Sequence, residues 1–339
     1  QEFSCFGPGY GPGSTVTGGD VDGDGDLDII AGDLYGQNAI YFNNAGQFYT
    51  GSIDDCNASP IEFSCFGTGS DATRSVSLGD IDGDGDLDII SGNSIGHNAV
   101  YFNNAGQFYT GSIDDCNASP QEFGCFGPGN GPGNSVIGGD IDGDGDLDIV
   151  AGGGQSVVFL NNASQFYTGP IGNCNNINEF RCFGTEEALS TNVATGDING
   201  DGNLDVVIGG NTSEPSAVYL NDGYGNFPVA RTLGTYEGVG ISVATGDING
   251  DGDLDIVTGN HEQNAVYINT SRLTNLFSGQ HFLKVVRPIV SDNADYYSSP
   301  IILDSQIITI PYTLFDNGGE RIGRVEAFYS LNGGDNWQP

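Results

Sequence analysis

The chain contains no methionine, one lysine, one tryptophan and three histidines, and its eight Lys and Arg face 45 Asp and Glu across 339 residues. A formal charge of −37 excludes a nucleic-acid partner, because phosphate binding needs a basic face. An acidic membrane surface is disfavoured on the same ground. No stretch approaches the roughly 20 apolar residues that a membrane helix needs, so no membrane span is expected. With no initiator Met, the chain reads as a processed or partial product. The scarce histidines, His97, His261 and His281, are isolated, and no Ser/His/Asp constellation repeats. An enzyme is therefore not expected. No segment carries a period of 3.6, which argues against helices.

What the chain has instead is glycine (56 residues) and self-similarity. An E-F-x-C-F-G run, a Gly-rich link, an Asp-rich loop, a D-I-I/V run and an N-A-V/I-Y-F-N-N run recur in order, the mark of a repeat architecture. The loops begin at Asp20, Asp80, Asp140, Asp197 and Asp247, spaced by 60, 60, 57 and 50 residues. In each copy the F-G or L-G pair, ending at Gly7, Gly67, Gly127, Gly184 or Gly234, stands 13 residues before the loop. Short β-branched and aromatic runs broken by Gly, Asn and Asp read as strands, about four per copy. In the first unit they are Val16–Gly18, Leu27–Ala31, Asn38–Asn43 and Glu62–Phe66. Four antiparallel strands every 50 to 60 residues is the rhythm of propeller blades, so residues 1–272 are read as an all-β propeller of five blades. After Ile268 the last unit lacks an obvious fourth strand. Either Glu2–Phe6 completes it and zips five blades into a ring, or chain is missing before Gln1 and the ring is larger.

The first loop reads Asp20-Val-Asp22-Gly-Asp24-Gly25-Asp26-Leu-Asp28. Calcium takes six to eight hard oxygen ligands, and oxygens at alternating positions of a tight turn converge on one point, with Gly at position 6 permitting the turn. An EF-hand would need Glu at position 12 and flanking helices; position 12 is Ala31 and the flanks are strand-like. The loops hold 22 of the 45 acidic residues and would repel one another strongly without metal. Asn/Asp/Gly clusters also make ordinary turns, but five copies of one nine-residue spacing exceed what turn chemistry requires.

With an acidic residue at position 9, D-x-D-x-D-G-x-x-D resembles the loops of FG-GAP and VCBS repeats, found in propellers of integrin α subunits and many bacterial surface proteins. The Phe6-Gly7 pair, the Asp loop and Ala31-Gly32 stand in that family's order over about residues 1–270. The Pro of the Gly-Ala-Pro that often follows the family's loop is missing from every copy. The resemblance implies five calcium sites. Their side-chain ligands would be Asp20, Asp22, Asp24 and Asp28; Asp80, Asp82, Asp84 and Asp88; Asp140, Asp142, Asp144 and Asp148; Asp197, Asn199, Asp201 and Asp205; and Asp247, Asn249, Asp251 and Asp255. Position 7, which is Asp26, Asp86, Asp146, Asn203 or Asp253, would add its carbonyl. The Asn at position 3 of the last two loops removes charge, so weaker binding is expected there.

Six of the seven cysteines fall into local pairs nine, nine and eight positions apart, Cys56/Cys65, Cys116/Cys125 and Cys174/Cys182. The repeated spacing favours disulfides and an oxidising, extracellular setting; no His stands at zinc-ligand spacing from them. Cys5 is left over, with an analogous partner falling before Gln1, so missing chain, an intermolecular bond or a free thiol is expected. Asn57, Asn117, Asn162, Asn211 and Asn269 head N-x-S/T sequons and are candidate glycosylation acceptors.

From about Phe282 the Asp loops stop and longer strand-like runs appear, at Phe282–Val290, Ile301–Phe315 and Arg324–Leu331. The ending from Phe328 to Trp337 resembles a strand and turn of immunoglobulin-like or fibronectin-like sandwiches, so residues 273–339 are read as a partial sandwich. Three or four strands fall short of the seven or so a sandwich uses, which leaves further chain or strand addition by a neighbouring molecule and makes this end an assembly surface. Three functional classes are in contention. The first is a calcium-stabilised, secreted or cell-surface structural or adhesive module with protein or glycan partners, repeated in a fibre. The second is a propeller lectin stacking sugars on Tyr41, Phe42, Tyr101 or Phe102, although at strand spacing these are more often core. The third is a secreted hydrolase, for which no constellation argues.

Overall fold

The computed structural model describes residues 5–7, 13–56, 59–68, 71–129, 133–172, 174, 178–184, 192–210, 215–233, 240–260 and 264–269. All lie within the first of two units into which the chain divides, Gln1–Arg272. The expected C-terminal sandwich strands, His261, His281, Asn57, Asn211 and most of the expected Glu2–Phe6 strand lie outside the described residues.

Among the described residues nineteen strands form five antiparallel meanders, one per repeat, in a five-bladed β-propeller. The first blade comprises β1 (Gly13–Gly19), β2 (Asp28–Asp33), β3 (Asn38–Tyr41) and β4 (Phe63–Phe66). The second comprises β5 (Thr73–Gly79), β6 (Asp88–Asn93), β7 (Asn98–Tyr101) and β8 (Phe123–Phe126); the third β9 (Ser135–Gly139), β10 (Asp148–Gly152), β11 (Ser156–Phe159) and β12 (Phe180–Phe183). The fourth comprises β13 (Val193–Gly196), β14 (Asp205–Ile208), β15 (Ala217–Leu220) and β16 (Val229–Thr232), and the fifth β17 (Gly240–Gly246), β18 (Asp255–Asn260) and β19 (Ala265–Tyr267). The expected strands are present with bounds moved by a few residues. Glu62, expected as the start of a strand, instead closes a turn, its N–H donating to the Ser59 carbonyl at 2.9 Å.

The second strand of an inner blade is apolar on both faces because such a blade is covered on both sides by its neighbours. Ile89 and Ile90 of β6 are both fully buried, Ile89 in a cluster shared with the first blade and Ile90 in one shared with the third. The core is thus a series of interblade layers. The innermost strands pack in order β1, β5, β9, β13, β17, and the Asp loops, each joining a blade's first strand to its second, recur at the same place in every blade.

Candidate metal centres

Each loop is folded by its own carboxylates. In the first, Gly23 and Gly25 have φ of 77° and 95°, a left-handed region that side chains disfavour; the same pair recurs in every loop, as at Gly250 (76°) and Gly252 (87°). Position 6 was legible as a turn glycine, whereas position 4 was not singled out. The turn points backbone N–H groups at Asp20, whose oxygens accept from Gly23 (2.8 Å) and Gly25 (2.9 Å). Asp24 Oδ1 accepts from the Asp26 N–H at 2.9 Å. Asp28 begins β2 and is buried, its Oδ2 accepting from Val21 N–H (3.0 Å) and its Oδ1 from Asn43 N–H (2.9 Å). Position 9 therefore has a structural duty, closing the loop onto β3, besides any role toward a metal.

This wiring brings carboxylate oxygens of positions 1, 3 and 9 within 4.8 Å of one another: Asp20, Asp22 and Asp28; Asp80, Asp82 and Asp88; Asp140, Asp142 and Asp148. Asp24, Asp84 and Asp144 at position 5 are outside these triads and cap the position 7 amide instead. Burial, reinforced by neighbouring carboxylates, pushes Asp88 and Asp148 up to about 6 and raises Asp28, Asp82 and Asp142 above the ordinary carboxylate range. Asp205 of the fourth loop is also lifted to about 6, chiefly by burial. Asp80 Oδ1 and Asp142 Oδ1 are buried without a hydrogen-bond partner, an arrangement that is costly unless a cation meets them. An all-oxygen, multiply anionic donor set fits a hard divalent cation such as calcium.

In the fourth and fifth loops position 3 is an amide whose Nδ2 donates to the position 5 carboxylate, Asn199 to Asp201 at 2.9 Å and Asn249 to Asp251 at 3.0 Å. An internal donor takes part of the place a cation would have there. These loops are otherwise built alike, with Asp197 and Asp247 each accepting from both loop glycines.

One set of residues went unnoticed in the sequence. From the second blade onward the Asn that follows the third strand links neighbouring loops: Asn103 Nδ2 donates to the Leu87 carbonyl of its own loop (3.0 Å) and to the Val21 carbonyl of the preceding one (2.8 Å). Asn161, Asn221 and Asn269 repeat this toward Ile81, Ile141 and Ile198. Their recurrence 13 to 16 residues after position 9 was the available signal. For Asn269 this means that the nitrogen a glycan would occupy already serves two carbonyls.

The three cysteine pairs are disulfides, Cys56–Cys65, Cys116–Cys125 and Cys174–Cys182, each with a Cα–Cα distance of 5.5 Å, and Cys5 is free and exposed. None of the six bonded sulfurs joins a carboxylate triad. Cys65 on β4 is fully buried and pairs with Ala39 of β3, while Cys182 on β12 is half-buried and pairs with Val157 of β11. Each bond therefore pins the preceding loop to its blade's fourth strand and takes no part in the metal centres. His97 lies against Cys116 and Cys125, but those sulfurs are bonded to each other and make no zinc set. Tyr41, Phe42, Tyr101 and Phe102 are buried and present no sugar-stacking platform.

A family model for the FG-GAP-like repeat matches four overlapping segments, residues 20–91, 80–151, 140–208 and 197–258, so that each match runs from one Asp loop into the next blade. The chain belongs to the FG-GAP-like repeat family. Each matched segment holds two successive Asp loops and the strands between them. No curated protein matches the chain in sequence. Among solved structures it is similar to an Agrocybe aegerita lectin described as recognising non-reducing terminal N-acetylglucosamine (22% identity, TM-score 0.44, covering 76% of this chain and 64% of that one). It is also similar to the V. cholerae biofilm matrix protein Bap1 (18%, 0.38, 72% and 34%) and to a Photorhabdus luminescens Tc holotoxin pore (17%, 0.33, 76% and 11%). The chain thus spans less than two thirds of each of these proteins.

Proposed function

We propose that this FG-GAP-like propeller is a calcium-stabilised extracellular structural or adhesive module, a non-catalytic subunit of a surface assembly with protein or glycan partners. The observation that carries the reading is the convergence of three carboxylates, one of them buried and wired into the backbone, at the same place in three successive blades. Calcium bound there neutralises charge that the fold otherwise confines at a cost, so metal acts on stability. Three disulfides suit an oxidising compartment. Among the described residues no helix is long and apolar enough to cross a membrane.

Calorimetric titration of chelator-treated protein with calcium tests this. Several uptake events and a melting temperature that rises with free calcium are expected. A protein that binds no calcium at millimolar concentrations and melts identically in chelator overturns the reading.

A further inference from the structure

Position 3 divides the five loops by chemistry. It is an aspartate followed by glycine in the first three, at Asp22-Gly23, Asp82-Gly83 and Asp142-Gly143, and an asparagine followed by glycine in the last two, at Asn199-Gly200 and Asn249-Gly250. The amide carbon of an asparagine is open to attack by the backbone nitrogen of the next residue, which closes a cyclic imide and expels ammonia. A following glycine presents that nitrogen with no side chain in the way.

In both loops the groups that such a closure needs surround the amide. The nucleophile is the Gly200 nitrogen, whose N–H donates to Asp197 Oδ1 at 2.7 Å, within reach for that carboxylate to take the proton as the nitrogen attacks. Negative charge collects on Asn199 Oδ1, which accepts from the Asp201 N–H at 2.8 Å, the donor type and distance of an oxyanion site. The leaving nitrogen, Asn199 Nδ2, donates to Asp201 Oδ2 at 2.9 Å. The fifth loop repeats all three bonds: Gly250 N–H to Asp247 Oδ1 at 2.8 Å, Asp251 N–H to Asn249 Oδ1 at 2.8 Å, and Asn249 Nδ2 to Asp251 Oδ2 at 3.0 Å. Held in this way the amide needs little further ordering to react. Gly200 and Gly250 are exposed, which admits the water that completes the reaction.

We propose that Asn199 and Asn249 are self-modification sites, at which the folded loop promotes deamidation of its own position 3. The Gly200 nitrogen bonds to Asn199 Cγ while its proton passes to Asp197; the Cγ–Nδ2 bond then breaks, and the nitrogen takes that proton and leaves as ammonia. Water opens the imide at one of its two carbonyls to give aspartate or isoaspartate. The net change is one water taken up and one ammonia released, with no oxidation or reduction. Asn249 and Gly250 react in the same way.

Where aspartate forms, the loop acquires the carboxylates at positions 1, 3 and 5 that Asp20, Asp22 and Asp24 provide in the first loop, and it loses the Nδ2 donor that stands in the place of a cation. Isoaspartate instead adds a backbone atom to the turn and displaces position 5. The consequence for calcium rests on the function proposed above, whereas the modification stands without it.

The test ages the full chain in chelator at mildly alkaline pH, below its melting temperature, beside the same chain unfolded in guanidinium. Isoelectric focusing follows the charge and peptide mass mapping the site. One added negative charge is expected at each of Asn199 and Asn249, about tenfold or more faster in the folded protein than in guanidinium. Sites that stay intact in the folded protein after the guanidinium sample has reacted overturn the proposal, and so do sites that react no faster folded than unfolded. Calcium uptake is measured on the aged protein and on a variant carrying Asn199→Asp and Asn249→Asp, in which those loops are expected to bind roughly tenfold tighter. Deamidation in a protein that takes up no calcium refutes the calcium reading alone, and uptake without deamidation refutes the modification alone.

Discussion

Asp148→Asn separates the two duties of position 9. The carboxylate is buried at 1% exposure, and its oxygens accept from Ile141 N–H (2.9 Å), Asp142 N–H (3.2 Å) and Asn161 N–H (2.9 Å). Burial lifts it from its ordinary 3.8 to about 6, which corresponds to about 3 kcal/mol of disfavoured charge. Because the folded value lies above the unfolded one, that cost is fully present above pH 6 in metal-free protein and fades as pH falls toward 4. Asn removes the charge but keeps only one accepting oxygen, leaving a buried N–H unpaired at about 1–3 kcal/mol. In chelator at pH 7.5 the two effects nearly cancel, and urea denaturation should place D148N within about 2 kcal/mol of wild type. At calcium 100-fold above the dissociation constant the variant should lose about 2.7 kcal/mol of calcium-dependent stabilisation. Lowering the pH from 7.5 to 5 in chelator should favour wild type over D148N by about 1.4 kcal/mol. A variant that is several kcal/mol less stable in chelator yet keeps the whole calcium increment would refute the reasoning.

Gly25→Ala places a side chain at φ 95°, where there is room for a Cβ but the backbone is strained, so a loss of about 1–2 kcal/mol in chemical denaturation is expected. Asn161→Asp replaces the amide that donates to the Ile81 and Leu147 carbonyls with another buried carboxylate; melting should fall by the equivalent of about 2–4 kcal/mol, and the fall should persist in saturating calcium. Replacing Cys116 and Cys125 with Ala should cost about 2–3 kcal/mol, the entropy of a loop this short, read as a shift in urea midpoint. Site-resolved titration should show the first three loops filling before the two whose position 3 is Asn199 or Asn249.

The five Asp loops and the three disulfides were legible because each is encoded within a dozen or so residues, and the blade rhythm because those short signals recur every 50 to 60 residues. A turn glycine, alternating carboxylates and a nearby cysteine partner all act over a short stretch of chain, and repetition separated them from chance. The Asn residues that link neighbouring loops recur at a local spacing, but their linking role was not legible, because Asn103 and Val21 lie 82 residues apart. The same holds for Leu27 and Leu87, which occupy the same motif position yet differ because Leu87 has Gly19 of a preceding blade beneath it and Leu27 is 65% exposed. The sequence by itself determined what each blade is and which oxygens crowd its loop, since those depend on neighbours along the chain. Only the tertiary structure decided which face of each of those near-identical blades meets which neighbour, since burial depends on what lies across an interface.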